Sequence, residues 1–591
     1  MTPAEMIRAR VVGGGFDTAA EEMSATVTRT ARSPIFNEAH DFTTGIFELR
    51  DGRAQLIAQA PGCTLHLYAI CSAVQAALDL FRNDLHPGDL ILASDPYDGG
   101  THIPDHVVIL PVFVDRKPVF FPVVRAHFAD SGGPVAGGYN PAARDIWQDG
   151  VVVPPIKLYE RGERRTDVFD MVLANNRVRD WLLGDLDAMR GACLTAQARI
   201  ERIVERFGIA ETRDAIEANI DYAERRVRAE IASWPDGDYS AETFIDHDYQ
   251  GGHDIRVACT ARIRGSDVTF DFTGSAPEVN GFVNSPIANT LSFVFVAVAS
   301  VIDEDVPVNE GYMRPVTVIA PEGTVVNPRP PKPVGNCTCI CGAEIAEVAL
   351  LALAQCAPTR VGVNCHKLPL AYTSGRYPDG KPWISLNFHG YTGGAGAAYG
   401  TDGWGLYPPL MTGVILPSIE MNEMQYPIRI ERHEYERDTA GAGRWRGAPG
   451  VRTRIRFLAE NITNAMLAGV RHPTRGFCGA EDGPPNELAL IAEGDRTEVT
   501  EVVYNRRLPA NAAIEFLRGG GGGWGSALDR PEAEVLADIA NDYVSVERAA
   551  ETYGVVADKT HRTLDREATR RRRAERARGN LADTIEQEHT S

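Results

Sequence analysis

Two apolar runs, Val107–Phe113 and Val119–Val124, flank the turn Val114-Asp115-Arg116-Lys117-Pro118 and are dense in Val, Ile and Phe. Strands that are apolar at successive positions are buried on both faces, so this hairpin belongs inside a covered sheet. The chain up to about residue 160 reads as strands joined by turns, with a second hairpin, Thr43–Leu49 and Gln55–Ala58, across Arg50-Asp51-Gly52-Arg53. A helix is predicted over about His66–Arg82. From Trp181 to Trp234 the periodicity becomes helical: Ile200, Ile203, Val204 and Phe207 make one face, Ile216, Ile220, Val227 and Ile231 another, and Gly208 separates them.

Strand-like text resumes after Pro235-Asp236-Gly237-Asp238, broken by apolar helices at Ala288–Ile302 and Ala343–Gln355 and followed by Gly-rich strands from about Pro358 to Ile514. Two helices, Pro531–Ile539 and Ser545–Tyr553, then lead to an arginine-rich stretch. The expected fold is a loop-rich, multidomain α/β mixture (α+β) with several mixed sheets and a central helical hairpin. Its expected divisions are an N-terminal α/β region (1–180), the helical hairpin (181–235), an α+β region (236–342), a Gly-rich β/α region (343–530), C-terminal helices (531–565) and a tail outside the ordered chain (566–591).

Composition narrows the function classes. Of 591 residues 44% are apolar and 24% charged, which excludes a largely disordered chain. The longest near-continuous apolar stretch, Leu291 to Ile302, falls short of the ~20 residues that span a bilayer. Met1–Arg8 has no apolar core of a secretory signal, and ten cysteines are too sparse for a disulfide scaffold, so reduced thiols and a cytoplasmic protein are expected. A net charge of −20 repels phosphate backbones and disfavours nucleic acid.

The densest cluster of acids, histidines and turn residues is Asp95-Pro96-Tyr97-Asp98-Gly99-Gly100-Thr101-His102-Ile103-Pro104-Asp105-His106. A second, Arg125-Ala126-His127-Phe128-Ala129-Asp130-Ser131-Gly132-Gly133, follows the next strand. Each contains His-x-x-Asp, and the intervening hairpin brings the two together. Two imidazoles and a carboxylate bind Zn²⁺, Mn²⁺ or Fe²⁺ and leave positions open for water and substrate. A cation would also offset the crowded acids. The competing reading is that these residues cap turns in Gly/Pro-rich loops.

Cys337-Thr338-Cys339-Ile340-Cys341 lacks a partner CxxC and reads as buried structural cysteine on a strand. Gly519–Gly523 lacks a following Gly-Lys-Ser/Thr, so it is no phosphate loop; a flexible loop or a close backbone approach is expected there and at Gly393-Gly394-Ala395-Gly396. No GxSxG or HExxH is present.

His86-Pro87-Gly88-Asp89, Asp95-Pro96-Tyr97, Gly99-Gly100-Thr101-His102-Ile103-Pro104-Asp105 and Arg125-x-His127-x-Ala129-Asp130-x-Gly132-Gly133 resemble the hydantoinase B/oxoprolinase family. So do Gly150-x-x-x-Pro154-Pro155-x-Lys157-Leu158, Asp271-Phe272-Thr273-Gly274-Ser275, Gly441-Ala442-Gly443-Arg444-Trp445-Arg446-Gly447 and Tyr553-Gly554-Val555-Val556. The resemblance implies one subunit of a hetero-oligomeric enzyme. An ATP-binding hydantoinase A-type partner would carry ATP and Mg²⁺, and this chain a divalent metal (Zn, Mn or Fe).

The implied activity is ATP-dependent opening of a cyclic amide (hydantoin, lactam or 5-oxoproline), with acetone- or acetophenone-type carboxylation of a ketone as the alternative. It implies His102, Asp105 and His127 as metal ligands. Asp41, which falls on a matched acid, and Asp130 are the further catalytic candidates. Asp130 is expected to complete the metal shell or hold a ligand imidazole. Where the family often has His-His-Ala-Asp, this chain has Phe128, so one possible ligand or proton carrier is lost. The family's usual acid before the Gly-Gly pair is likewise absent from His389-Gly390-Tyr391-Thr392-Gly393-Gly394.

Overall fold

The structure is a computed structural model that describes residues 3–362, 367–405, 414–558 and 563–588. Its first sheet has the order β2-β1-β6-β4-β3-β7-β8, built from β1 (Phe42–Arg50), β2 (Arg53–Gln59), β3 (Leu90–Ala93), β4 (Asp105–Ile109), β6 (Lys117–His127), β7 (Ile156–Glu160) and β8 (Glu163–Arg164). The short β5 (Val112–Val114) pairs with β6 off this path, so the expected hairpin forms.

Alternation on the central strands explains the unbroken apolar text. Ile46, Leu92, Val108, Phe120 and Val124 face one core, while Phe47, Ile91, Val107, Ile109, Phe121 and Val123 face another. The second face is covered by α2 (Ala69–Phe81) through Ile70, Ala73, Val74, Ala77 and Leu78. Thr64–Phe81, long and apolar enough to cross a membrane by length and composition, spends this face on the sheet.

Three long helices pack together on the side of the first face, two of them directly against its strands. Two are the expected hairpin, α3 (Arg179–Phe207) and α4 (Ile209–Ile231), with Gly208 between them at φ 79°. The third corrects the strand reading of the N-terminus: α1 (Pro3–Thr30) is a 28-residue helix. Gly13-Gly14-Gly15 masked it, because each glycine costs a helix ~1 kcal/mol. The glycines allow close approach instead: a Cβ on Gly13 would lie 2.5 Å from Asn219 Nδ2, and one on Gly15 3.1 Å from Ile203 Cδ1. Val12, Phe16, Met23 and Val27 supply the buried stripe, and Phe16 meets Phe120 at 5.6 Å between ring centroids.

A second sheet comprises β9 (Gly237–His247), β10 (His253–Arg264), β11 (Asp267–Asp271) and β12 (Val316–Ile319) in the order β12-β11-β10-β9, with β11 and β12 parallel. It packs with the buried helices α5 (Ile287–Ala299) and α6 (Gly342–Leu353). Cys337–Cys341 forms turns rather than the expected strand, and Cys341, at φ 72°, is the N-cap of α6. Among the described residues the cysteines are free thiols.

The Gly-rich region forms two further antiparallel sheets that share one core, with Ala371, Trp383 and Ala465 of one against Ile455, Ile514 and Phe516 of the other. Gly519–Gly523 is backbone packed on backbone: a Cβ on Gly447 would lie 1.9 Å from Gly521 O, and one on Gly521 2.0 Å from Ala395 O.

Helices α7 (Glu532–Ala540), α8 (Val546–Thr552) and α9 (Arg566–Glu588) end the chain. The last corrects the expectation that order stops at Arg566; residues 589–591 of that expected tail lie outside the described residues. Thr569 is buried and its Oγ1 accepts from Val556 N at 2.9 Å, while Arg573 donates to Arg530 O at 2.6 Å and Tyr553 O at 3.2 Å. Arg573 thus docks the helix on carbonyls of the preceding segments.

Candidate metal and substrate site

The register of the first sheet builds the site. Asp105 opens β4, His127 closes β6, and the two are directly paired. On the other side of β6, Phe42 pairs with Ala126, and His127 N donates to the carbonyl of Asp41 at 3.1 Å. Asp41, Asp105 and His127 therefore share one end of three adjacent strands. His102 joins them from the turn before β4, where Asp105 N donates to His102 O at 3.0 Å.

Three ligand atoms converge. Asp105 Oδ1 is 2.7 Å from His102 Nε2 and 3.1 Å from His127 Nδ1, and the two nitrogens are 3.2 Å apart. His102 Nδ1 lies 2.9 Å from the carbonyl oxygen of Gly335, to which it donates; this leaves the Nε2 lone pair toward the group. At 2.7 Å the Nε2 lone pair of His102 and the Asp105 oxygen repel one another unless a proton or a cation lies between them. His127 Nε2 is buried with no hydrogen-bond partner among the described residues. Geometry and donor chemistry both fit a divalent ion.

Asp105 has a second set of partners. Its Oδ2 accepts from Thr101 Oγ1 at 2.6 Å and from Arg125 Nη2 at 3.3 Å. Arg125 is fully buried; it also donates through Nη2 to Thr101 and through Nε to His66 Nδ1 at 3.3 Å. His66 Nε2 in turn meets Asp41 Oδ1 at 3.0 Å. Burial pushes the Asp105 carboxyl up, but His102 and His66 overcome it and hold it well below the usual range. Burial likewise raises Asp41, and the hydrogen bond from His66 brings it below its ordinary value. Asp41, Cys63 and His66 form a second buried group of potential ligands beside the first. Burial, then Asp41, pushes the Cys63 thiol well up, so it is a neutral thiol.

Four of the five site residues expected from sequence are thus brought together. Asp130 is not among the converging atoms. Its carboxylate takes Arg177 N at 2.8 Å, Arg177 Nη1 at 2.9 Å and Gly137 N at 3.3 Å, and the Gly335 carbonyl is the partner that orients His102. Asp130 clamps the Gly-rich loop to the segment before α3.

Residues without a sequence-assigned role complete the surroundings. The Tyr139 ring lies 5.5 Å from His102 and 5.6 Å from His127. Cys339 is within hydrogen-bonding reach of Tyr139. Cys63 and His66 carry a readable signal, a Cys-x-x-His beside an acid-bearing strand; a carbonyl 233 residues from its histidine carries none.

The sequence pattern of the hydantoinase B/oxoprolinase family runs through residues 5–527. The chain belongs to that family. It is 34% identical over 584 residues to the protein named caprolactamase subunit beta of Pseudomonas jessenii, covering 97% of this chain and 100% of that one. The crystal structure of the ATP-dependent caprolactamase of P. jessenii superposes with a TM-score of 0.89 at 33% identity, over 96% of this chain and 99% of that one. Acetone carboxylase in its nucleotide-free form shares the fold, with a TM-score of 0.90 at 17% identity over 98% and 83% of the two chains. Within this family frame, Phe128 is a packing residue: its ring stacks on Phe36 at 5.5 Å and lies 4.5 Å from His106.

Proposed function

We propose that this chain is the metal-holding subunit of an ATP-dependent hydrolase of cyclic amides, working with an ATP-binding subunit of the hydantoinase A type. The observation that carries the reading is the buried convergence of His102 Nε2, His127 Nδ1 and Asp105 Oδ1 in a chain 34% identical to a caprolactamase subunit. A lactam is the favoured substrate class.

An amide carbonyl is a poor electrophile, and an unstrained ring helps little. Conversion of its oxygen to a phosphate ester on the partner subunit would supply a good leaving group. A divalent ion held by His102, Asp105 and His127 supplies Lewis acidity toward an amide oxygen or a water molecule. The chain's own residues prepare that chemistry. The Gly335 carbonyl fixes the His102 tautomer. Arg125 and Thr101 hold the second oxygen of Asp105, so the first faces the histidines. Asp41, ionised and hydrogen-bonded to His66, would take a proton from water at the strand ends, with His66 Nδ1 steadied by Arg125. Tyr139 roofs both imidazoles and limits water.

The test is co-purification with the ATP-binding partner, followed by ATP turnover with caprolactam, 5-oxoproline, hydantoin and, separately, acetone with bicarbonate. The chain alone should hydrolyse no ATP, and the complex should do so in response to a cyclic amide. Turnover only with ketone and bicarbonate, or substrate-dependent ATP hydrolysis by this chain alone, overturns the reading.

A further inference from the structure

Three arginines rank among the largest fully buried side chains: Arg125, Arg518 and Arg530. Two have carboxylates. Arg125 meets Asp105, and Arg530 meets Asp402 at 2.7 Å and Asp538 at 2.8 Å. Arg518 has none among the described residues, and its Nε, Nη1 and Nη2 are all buried without a hydrogen-bond partner. Its contacts are aromatic: the guanidinium carbon lies 5.0 Å from the Phe516 ring centroid and 5.9 Å from that of Tyr391. Burying a cation with five donors and satisfying none is costly, and native structures do so rarely without a reason. Burial pushes this arginine down to about 9, with Tyr391 acting in the opposite direction.

Its position supplies the reason. Arg518 ends the strand Ala513–Arg518 directly before the glycine layer, paired with Val451. Tyr391 beside it feels both Arg518 and Asp41. Tyr372, also felt by Tyr391, has a buried hydroxyl with no partner; its ring is 5.7 Å from Tyr139, which roofs His102 and His127. Tyr391 Oη donates to the carbonyl of Ala371, the residue before Tyr372, at 3.1 Å. Unsatisfied buried donors therefore flank Tyr391 along a run of neighbouring residues that ends at the triad. A planar fork of donors is suited to bidentate pairing with a carboxylate or phosphoryl group. We propose that Arg518 binds an anionic group of the molecule processed at the His102/Asp105/His127 site: a carboxylate on the substrate ring, or the phosphoryl group carried by the activated amide. The assignment rests on the proposed function for the identity of that molecule, and on the unpaired guanidinium for its charge.

The experiment compares the full-length chain with its Arg518→Met variant in thermal unfolding at constant ionic strength. The probes are inorganic phosphate, 5-oxoproline and 2-pyrrolidone, the last being 5-oxoproline without its carboxylate. Without probe, Arg518→Met should melt at or above the wild type, because an uncompensated charge is gone. At saturation an anionic probe should raise the wild-type midpoint by about 2 °C or more and leave the variant unmoved. Protection by phosphate alone assigns the phosphoryl source, and protection by 5-oxoproline but not 2-pyrrolidone assigns the carboxylate. Equal shifts in both proteins, or none in the wild type, overturn the proposal. Arg518→Gln repeats the comparison should the methionine variant not fold. In an active complex, the variant should raise KM about 100-fold for a substrate bearing the recognised anion. A complex that opens no cyclic amide, while an anion still protects only the wild type, refutes the proposed function and leaves the anion site standing.

Discussion

Asp105→Asn tests the architecture of the site more sharply than loss of activity can. The substitution conserves volume but removes the one carboxylate within ion-pair distance of the fully buried Arg125 among the described residues. At their separation of 3.3 Å an effective dielectric near 20 gives an attraction of about 5 kcal/mol. Removing one partner of a buried pair leaves the other uncompensated, a loss of about 3–5 kcal/mol. The Asn oxygen can still accept from Thr101, which places the expectation at the lower end, about 3 kcal/mol. Urea denaturation of chelator-treated protein measures it without any contribution from bound metal. Arg125→Met should be costly by itself, since it removes the permanently charged partner of a buried carboxylate. The double variant should therefore be less destabilised than the sum of the singles by at least about 1.5 kcal/mol. Additive losses, or a cost below about 1 kcal/mol for Asp105→Asn, would refute the claim that Arg125 and Asp105 form one unit.

Other consequences can be measured separately. His127→Ala leaves two of the three converging atoms, so elemental analysis should find the wild-type divalent metal missing; equal stoichiometry in both proteins would exclude His127 as a ligand. Ending the chain at residue 565 removes buried Thr569 and the Arg573 contacts and should cost about 2–4 kcal/mol in urea unfolding, where an unchanged midpoint would return α9 to the role of a dispensable tail. Asp185, buried on α3 and accepting from Arg32 N and Ser33 N, is pushed up to about 6 by burial, so the proton-linked stability it confers is full below pH 4 and lost as pH rises through 6. Asp185→Asn keeps an acceptor for both amides. Its stability advantage over wild type should grow from near zero at pH 4 to about 2–3 kcal/mol above pH 6, and a pH-independent difference between the two sinks the assignment.

What was legible in the sequence followed from local rules. The Val107–Val124 hairpin declared itself by apolar density, and two His-x-x-Asp loops at its ends had to meet once it closed. The α3–α4 hairpin was legible from its 3.6-residue period and the intervening glycine. Helix α1 was not, because three consecutive glycines look like a break when the helices that Gly13 and Gly15 approach lie about 190 to 205 residues away in sequence. Helix α9 was misread because like charges in the text give no hint of the carbonyls that receive them. Cys337–Cys341 alternates like a strand, yet its geometry is governed by the left-handed backbone at Cys341. Asp130 shows the limit for function: the His-x-x-Asp spacing is the same in both loops, but the carboxylate of the first faces the histidines and that of the second faces Arg177.

That difference has a structural origin. Asp105 is the first residue of a strand, so pairing with His127 sets its backbone and aims its side chain at the imidazole opposite. Asp130 lies three residues beyond the end of β6, where no ladder constrains it, and loop amides and Arg177 capture it. Asp105 then divides its two oxygens between different tasks. One completes the converging group; the other is anchored by Thr101 and Arg125, which reaches onward to His66 and, through it, Asp41. A carboxylate held by its own hydrogen bonds need not reorganise to receive a cation. Arg125 thus joins the stability of the fold to the proposed chemistry through one contact, and the polar residues at the ends of β1, β4 and β6 form one connected network.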